Sequence, residues 1–111
     1  MNDAIETRLD ELRKLAKEFA EAQAQRDYLD EFKKSKLAML MKRFESDYPT
    51  AAAQEREARA HQEYIDLLTG LKAATERAEF ARWSLKIAEM GAGLWQTKQA
   101  NMRAERRAYG A

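Results

Sequence analysis

Few residues of this chain have the types and spacing that chemistry requires. His61 is the single histidine, and the chain has no cysteine. No Ser, acid or thiol is spaced to make His61 half of a nucleophile–base pair, so it reads as a surface or capping residue. Without Cys there is no disulfide frame, thiolate nucleophile or Cys-based zinc site. Carboxylates recur at helical spacing in Asp3–Glu6, Glu6–Asp10 and Asp27–Glu31. Di-metal helical bundles pair such acids with Glu-x-x-His, which does not occur here. These acids read instead as a solvated face laced with ion pairs such as Asp10–Lys14 and Lys14–Glu18. Gly91-Ala92-Gly93 follows no strand and lacks the third glycine of a phosphate loop, so helix bending or close packing is its expected role. No catalytic, cofactor-binding or metal-ligating residue is assigned. The chain is expected not to be an enzyme and to take no cofactor or small-molecule substrate.

Two groups remain as candidates for binding. Lys98, Arg103, Arg106 and Arg107 alternate with Gln96, Gln99, Asn101 and Tyr109 near the end of the chain. Such a segment suits a phosphate backbone or an acidic protein surface. Yet the net charge is only +1, whereas duplex binders typically carry an excess of cations. Trp83 and Trp95 stand twelve positions apart, which sets them about 120° apart around a helix. They are expected to serve different faces, in the core, at a dimer interface or as an anchor for a partner.

The elements that must position these residues are helices. Ala, Glu, Lys, Leu, Arg and Gln dominate, Val is absent, and there are only four Gly and one Pro. This is the composition of long helices rather than sheets. Asn2 or Asp3 is expected to cap a first helix over about 3–48, with Ile5, Leu9, Leu12, Ala16 and Phe19 as its apolar seam. In that rhythm the seam meets Gln23, Arg26 and Asp30, so a stutter is expected, with Ala22, Leu29, Phe32, Met39 or Leu40, and Phe44 carrying the shifted stripe. Pro49 ends the helix within a turn at about 46–50, and Thr50 caps the next helix. This second helix is expected over about 51–107, broken near 60–62 and bent near 91–93. Its seam is Tyr64, Leu67, Leu68, Leu71, Ala74, Ala78, Ala81, Leu85 and Ala88, with Phe80, Trp83 and Ile87 on a flank. Tyr109, Gly110 and Ala111 read as a frayed end.

Charge is segregated along the chain. Residues 1–31 are acidic, and Lys33, Lys34, Lys36, Lys42 and Arg43 make the next stretch basic. Residues 49–81 are mildly acidic, and from Arg82 onward the chain is basic again. Folding back at Pro49 sets acid beside base at both levels, favouring an antiparallel pairing. The expected fold is all-α: one domain forming a long, coiled-coil-like antiparallel hairpin. Two helices bury only a thin seam, so dimerisation into a four-helix bundle is expected to cover the remainder.

The segments 78–86 (AEFARWSLK) and 102–109 (MRAERRAY) resemble small helical proteins of phages and prophages, which are often encoded among recombination and replication genes. The resemblance covers about the last sixty residues and implies a phage accessory protein without implying an activity. The expected function is a non-enzymatic interaction protein, an adaptor or inhibitor acting through a helical protein-binding surface. The alternative is a nucleic-acid-associated factor using the basic C-terminal segment. Expected partners are a second copy of the chain (a homodimer or higher assembly) and another protein, with nucleic acid under the alternative and no membrane. The acidic start and the short apolar runs place it in the cytoplasm, the host's if phage-encoded.

Overall fold

A computed structural model describes residues 3–110. The protein is all-α, a helical hairpin of three helices: α1 (Asp3–Arg43), α2 (Ala51–Ala60) and α3 (Gln62–Tyr109). Asp3 is already inside α1, and Asn2, the other expected cap, lies outside the described residues. Ala111 also lies outside them. Among the described residues, no helix is long and apolar enough to cross a membrane.

α1 stops at Arg43, five residues before the expected limit at 48. Beyond it the backbone tightens, with the Phe44 N–H shared between the carbonyls of Leu40 and Met41 and the Glu45 N–H donating to Lys42. The Asp47 and Tyr48 N–H groups both donate to the Phe44 carbonyl. Pro49 disfavours helical backbone at Tyr48, so the closing turns form ahead of it. Thr50 then adopts extended backbone (φ −113°, ψ 149°), and its hydroxyl accepts from the Ala53 N–H at 3.1 Å. The Gln54 side-chain amide ties the turn by donating to the Tyr48 carbonyl.

The break near 60–62 is sharp and centres on His61, which is extended (φ −69°, ψ 140°). Its backbone N–H closes α2 by donating to the Ala58 carbonyl, while its Nδ1 accepts from the Glu63 N–H at 3.0 Å. The lone histidine thus caps both helices, and that use of Nδ1 requires the ring proton to sit on Nε2. α3 runs without interruption through Gly91 and Gly93.

The chain divides into two compact units, one of residues up to Phe19 and from Phe80 onward, the other of Ala20–Glu79. In the second unit Leu40, Ala58 and Tyr64 are buried together, with Leu37, Met41 and Phe44 packed around them. Each helix contributes one of the three central residues. Phe44 also meets Tyr48 edge-on and His61 at a tilt. Further along this unit the seam is small: Ala22 of α1 and Ala74 and Ala78 of α3 are buried. In the first unit, Leu12, Leu15 and Phe19 of α1 and Leu85, Ala88, Ala92 and Trp95 of α3 are half-buried.

The expected Leu12, Phe19, Ala22, Leu29, Phe32, Leu40 and Phe44 are buried or half-buried, but Arg8 and Leu15 stand in place of the expected Ile5, Leu9 and Ala16, and no stutter occurs. The seam runs through Arg8, Leu12, Leu15 and Phe19 in the first unit, and Ala22, Arg26, Leu29, Lys33, Lys36 and Leu40 in the second, with Gln23, Phe32, Leu37 and Met41 half-buried beside it. The spacing is four, three throughout. Ile5, Leu9 and Ala16 are exposed. The apparent obstacle, charge in the seam, is resolved because Arg and Lys lay apolar stems along it and keep their heads at its edge. Lys36 is the clearest case: its side chain is 15% exposed and its ammonium meets Glu63 at 3.0 Å. Asp10 pairs with Arg13 rather than with the expected Lys14.

Glu63 also receives the Arg43 guanidinium through both terminal nitrogens. This is the expected contact of the basic stretch with the start of the returning chain. Hydrogen bonds from Arg43 and then Lys36 hold the Glu63 carboxyl down to about 2, from an ordinary value of 4.5. Because the folded value lies below the unfolded one, the ionised carboxylate stabilises the fold above about pH 4.5. That contribution is lost as pH falls toward 2, and solvent at this half-exposed site moderates its size. Glu63→Gln is therefore expected to melt lower than the unsubstituted protein at pH 6 and to converge with it near pH 2. A constant difference across a pH series of melting curves would show that the carboxylate charge is not involved.

Candidate protein-binding surface

The residues with most to offer a partner lie on the part of α3 that belongs to the first unit. Here α3 carries two apolar stripes, both spaced three and four. Ala81, Leu85, Ala88, Ala92 and Trp95 form the half-buried one. Phe80, Trp83, Ile87, Met90 and Leu94 form the other, and they are 52–76% exposed. At about 100° per residue the exposed stripe sits roughly 150° around the helix from the buried one. It is nearly opposite the seam rather than on its flank, so nothing packed along the seam can cover it.

Trp83 is the fixed point of the exposed stripe. The Arg82 guanidinium carbon lies 4.9 Å and the Lys86 ammonium 5.2 Å from the indole ring centroid. Two cations over one indole limit its rotamers and hold the half-exposed remainder of the ring in position. Gly91 and Gly93 flank the far end of the stripe. Each costs about 1 kcal/mol in a helix interior relative to Ala, and nothing among the described residues requires either. Neither has a positive φ, and a Cβ built on either meets no atom within 4 Å. The close packing expected there is not supplied by any described residue.

Trp95 serves the other face, as the azimuth between the two indoles implies. It sits in the seam under Arg8, whose guanidinium carbon lies 4.8 Å from the ring centroid. Here a base of α1, rather than an acid, meets the basic end of α3. Ile5, Leu9, Leu12, Trp95, Gln99 and Arg103 border an open cleft between the two helices of this unit. Lys98, Arg106 and Arg107 are exposed. Like Arg103, they form no ion pair with any described residue, although the acidic start of α1 lies in the same unit. Arg106 and Arg107 occupy the last turn of α3, where positive charge complements the helix dipole.

Among the described residues, no three His, Cys, Asp or Glu side chains gather as a metal-ligand set. Met90 and Leu94 are absent from the binding residues named by sequence reasoning, although the spacing from Phe80, Trp83 and Ile87 leads directly to them. Comparison with protein-family models, curated proteins and solved structures finds no match.

Proposed function

We propose that this protein is a non-enzymatic helical interaction protein, an adaptor or inhibitor that binds other proteins through the exposed stripe of α3. The observation that carries this reading is the run of five large apolar side chains at three-and-four spacing, more than half exposed on a helix face that no described residue covers. Contiguous exposed apolar surface of this extent marks an interaction site. The repeat suits another helix laid along it. A phage accessory role, exercised in the host cytoplasm, fits the resemblance of the C-terminal half and is proposed on that ground alone.

The test is site-specific photocrosslinking in the cells that produce the protein. A benzophenone side chain at position 87 or 94 is expected to give one or two discrete adducts. The same group at the exposed polar position 76 is expected to give none. Equal, diffuse labelling at all three positions would sink the reading.

A second reading rests on a separate observation. Lys98, Arg103, Arg106 and Arg107 lack intrachain ion-pair partners among the described residues and so are available to phosphates. On this reading the protein is an accessory factor contacting nucleic acid with its basic C-terminal helix. Binding to single-stranded or duplex DNA is then expected to weaken steeply with salt. Changing Arg103, Arg106 and Arg107 to Glu should lower the salt slope by about 1 for each phosphate no longer engaged. Salt-insensitive binding, or binding unaltered by the triple change, would exclude it.

A further inference from the structure

The exposed stripe leaves a specific geometric problem, and its solution identifies the occupant. Its first half is bulky, with Phe80 and the clamped indole of Trp83. Its second half is Met90 and Leu94, bordered by Gly91 and Gly93 with open space at both Cβ positions. A partner helix must therefore be slim opposite Trp83 and bulky opposite Gly91, which lies beside the stripe. The stripe itself, turned end for end, has that profile.

We propose that the occupant is a second copy of this chain, α3 against α3 in antiparallel orientation, about a two-fold axis near Ile87 and Met90. Each Trp83 then lies over residues 91–94 of the other copy. The proposal rests on the reading of the stripe as a protein-binding surface. A parallel pairing would set indole beside indole and glycine beside glycine, crowding one end and leaving a gap at the other. The two-fold arrangement uses one patch on both copies, the commonest form of self-association. The five side chains supply on the order of 600 Å² per copy, and two copies together reach the lower range of specific, stable interfaces. Gly91, about 60° from the stripe's centre, acquires a reason in the same arrangement: its missing side chain leaves the space the other indole occupies.

Sedimentation equilibrium of the full chain is expected to give twice the chain mass of 12.8 kDa. Gly91→Leu is the discriminating variant. In the isolated chain it replaces a poor helix former with a good one, and its Cβ meets no atom within 4 Å, so helix content should hold or rise. In the dimer it fills the indole's place, and association should weaken by about tenfold or more. Ile87→Glu should do the same by setting charge against charge near the axis. Since the chain has no cysteine, single replacements report orientation. Ile87→Cys should oxidise to a covalent dimer, whereas Phe80→Cys, far from its mate in an antiparallel pair, should not. A monomer at about 100 μM, a dimer indifferent to both Gly91→Leu and Ile87→Glu, or a Phe80→Cys disulfide dimer would each overturn the proposal. A monomer that still gave discrete crosslinks at positions 87 and 94 would overturn it too, while leaving the protein-binding reading standing with a different occupant.

Discussion

Leu40→Ala is expected to lower stability by roughly 2–5 kcal/mol and to release α2 from the fold. Leu40 is fully buried, and with Ala58 and Tyr64 it joins the end of α1, the middle of α2 and the start of α3. Truncation removes the side chain around which all three elements meet. The slightly better helix propensity of Ala returns only a few tenths of a kcal/mol, so the loss of packing decides the outcome. The dependence of α2 is specific. At ten residues it is too short to persist alone in water, and Ala58 is its one buried residue. For a chain of this size the fall in melting temperature should be on the order of 10 °C or more. Amide exchange across Ala51–Ala60 should accelerate first. Met39→Ala, the same kind of truncation one position earlier at a half-exposed site, is the control. If the two variants melt together, the three-helix junction is not where this unit derives its stability.

The hairpin is legible in the sequence because its signals are local. Pro49 with Thr50 marks a stop and a start, and charge segregation anticipates the contact of Lys36 and Arg43 with Glu63. The seam of α1 is harder to read. A pattern search that avoids charged residues selects Ile5, Leu9 and Ala16, while the protein buries Leu15 and the stems of Arg8, Arg26 and Lys36. Side chains that are charged at one end and apolar along their length defeat a binary pattern. The candidate surface is obscured for another reason. From Phe80 to Trp95, α3 carries two overlapping stripes of identical periodicity, one small and one large. The seam read from sequence follows the small stripe through Ala81, Leu85 and Ala88, and the protein half-buries that stripe. Size would favour burying Phe80, Trp83 and Ile87, yet the Ala-rich stripe is the one turned toward the partner helix. The larger one is left outside, and of its five residues only Trp83 is among the binding residues named from sequence.

That choice of stripe makes close approach of the helices a testable quantity. Ala78→Leu is expected to destabilise the protein by about 1–3 kcal/mol, despite adding apolar surface. Ala78 and Ala22 are each 1% exposed, and Ala74 is buried in the same unit. Single-methyl side chains this inaccessible on both α1 and α3 are what close approach of the two backbones produces. Leu brings three more carbons. In open space near the seam they would contribute roughly 0.8 kcal/mol for each methylene buried. Where no void exists they must displace a helix or force an unfavourable rotamer, and that cost prevails. Ala73→Leu isolates the effect, because position 73 is exposed on the same helix and the two substitutions share one propensity change. The expected result is a melting temperature several degrees lower for the change at 78 and within about a degree of the starting protein for the change at 73. If Ala78→Leu instead raises the melting temperature, the small seam holds unfilled space. The alanines would then be under-packed, and the close approach inferred from their burial would be wrong.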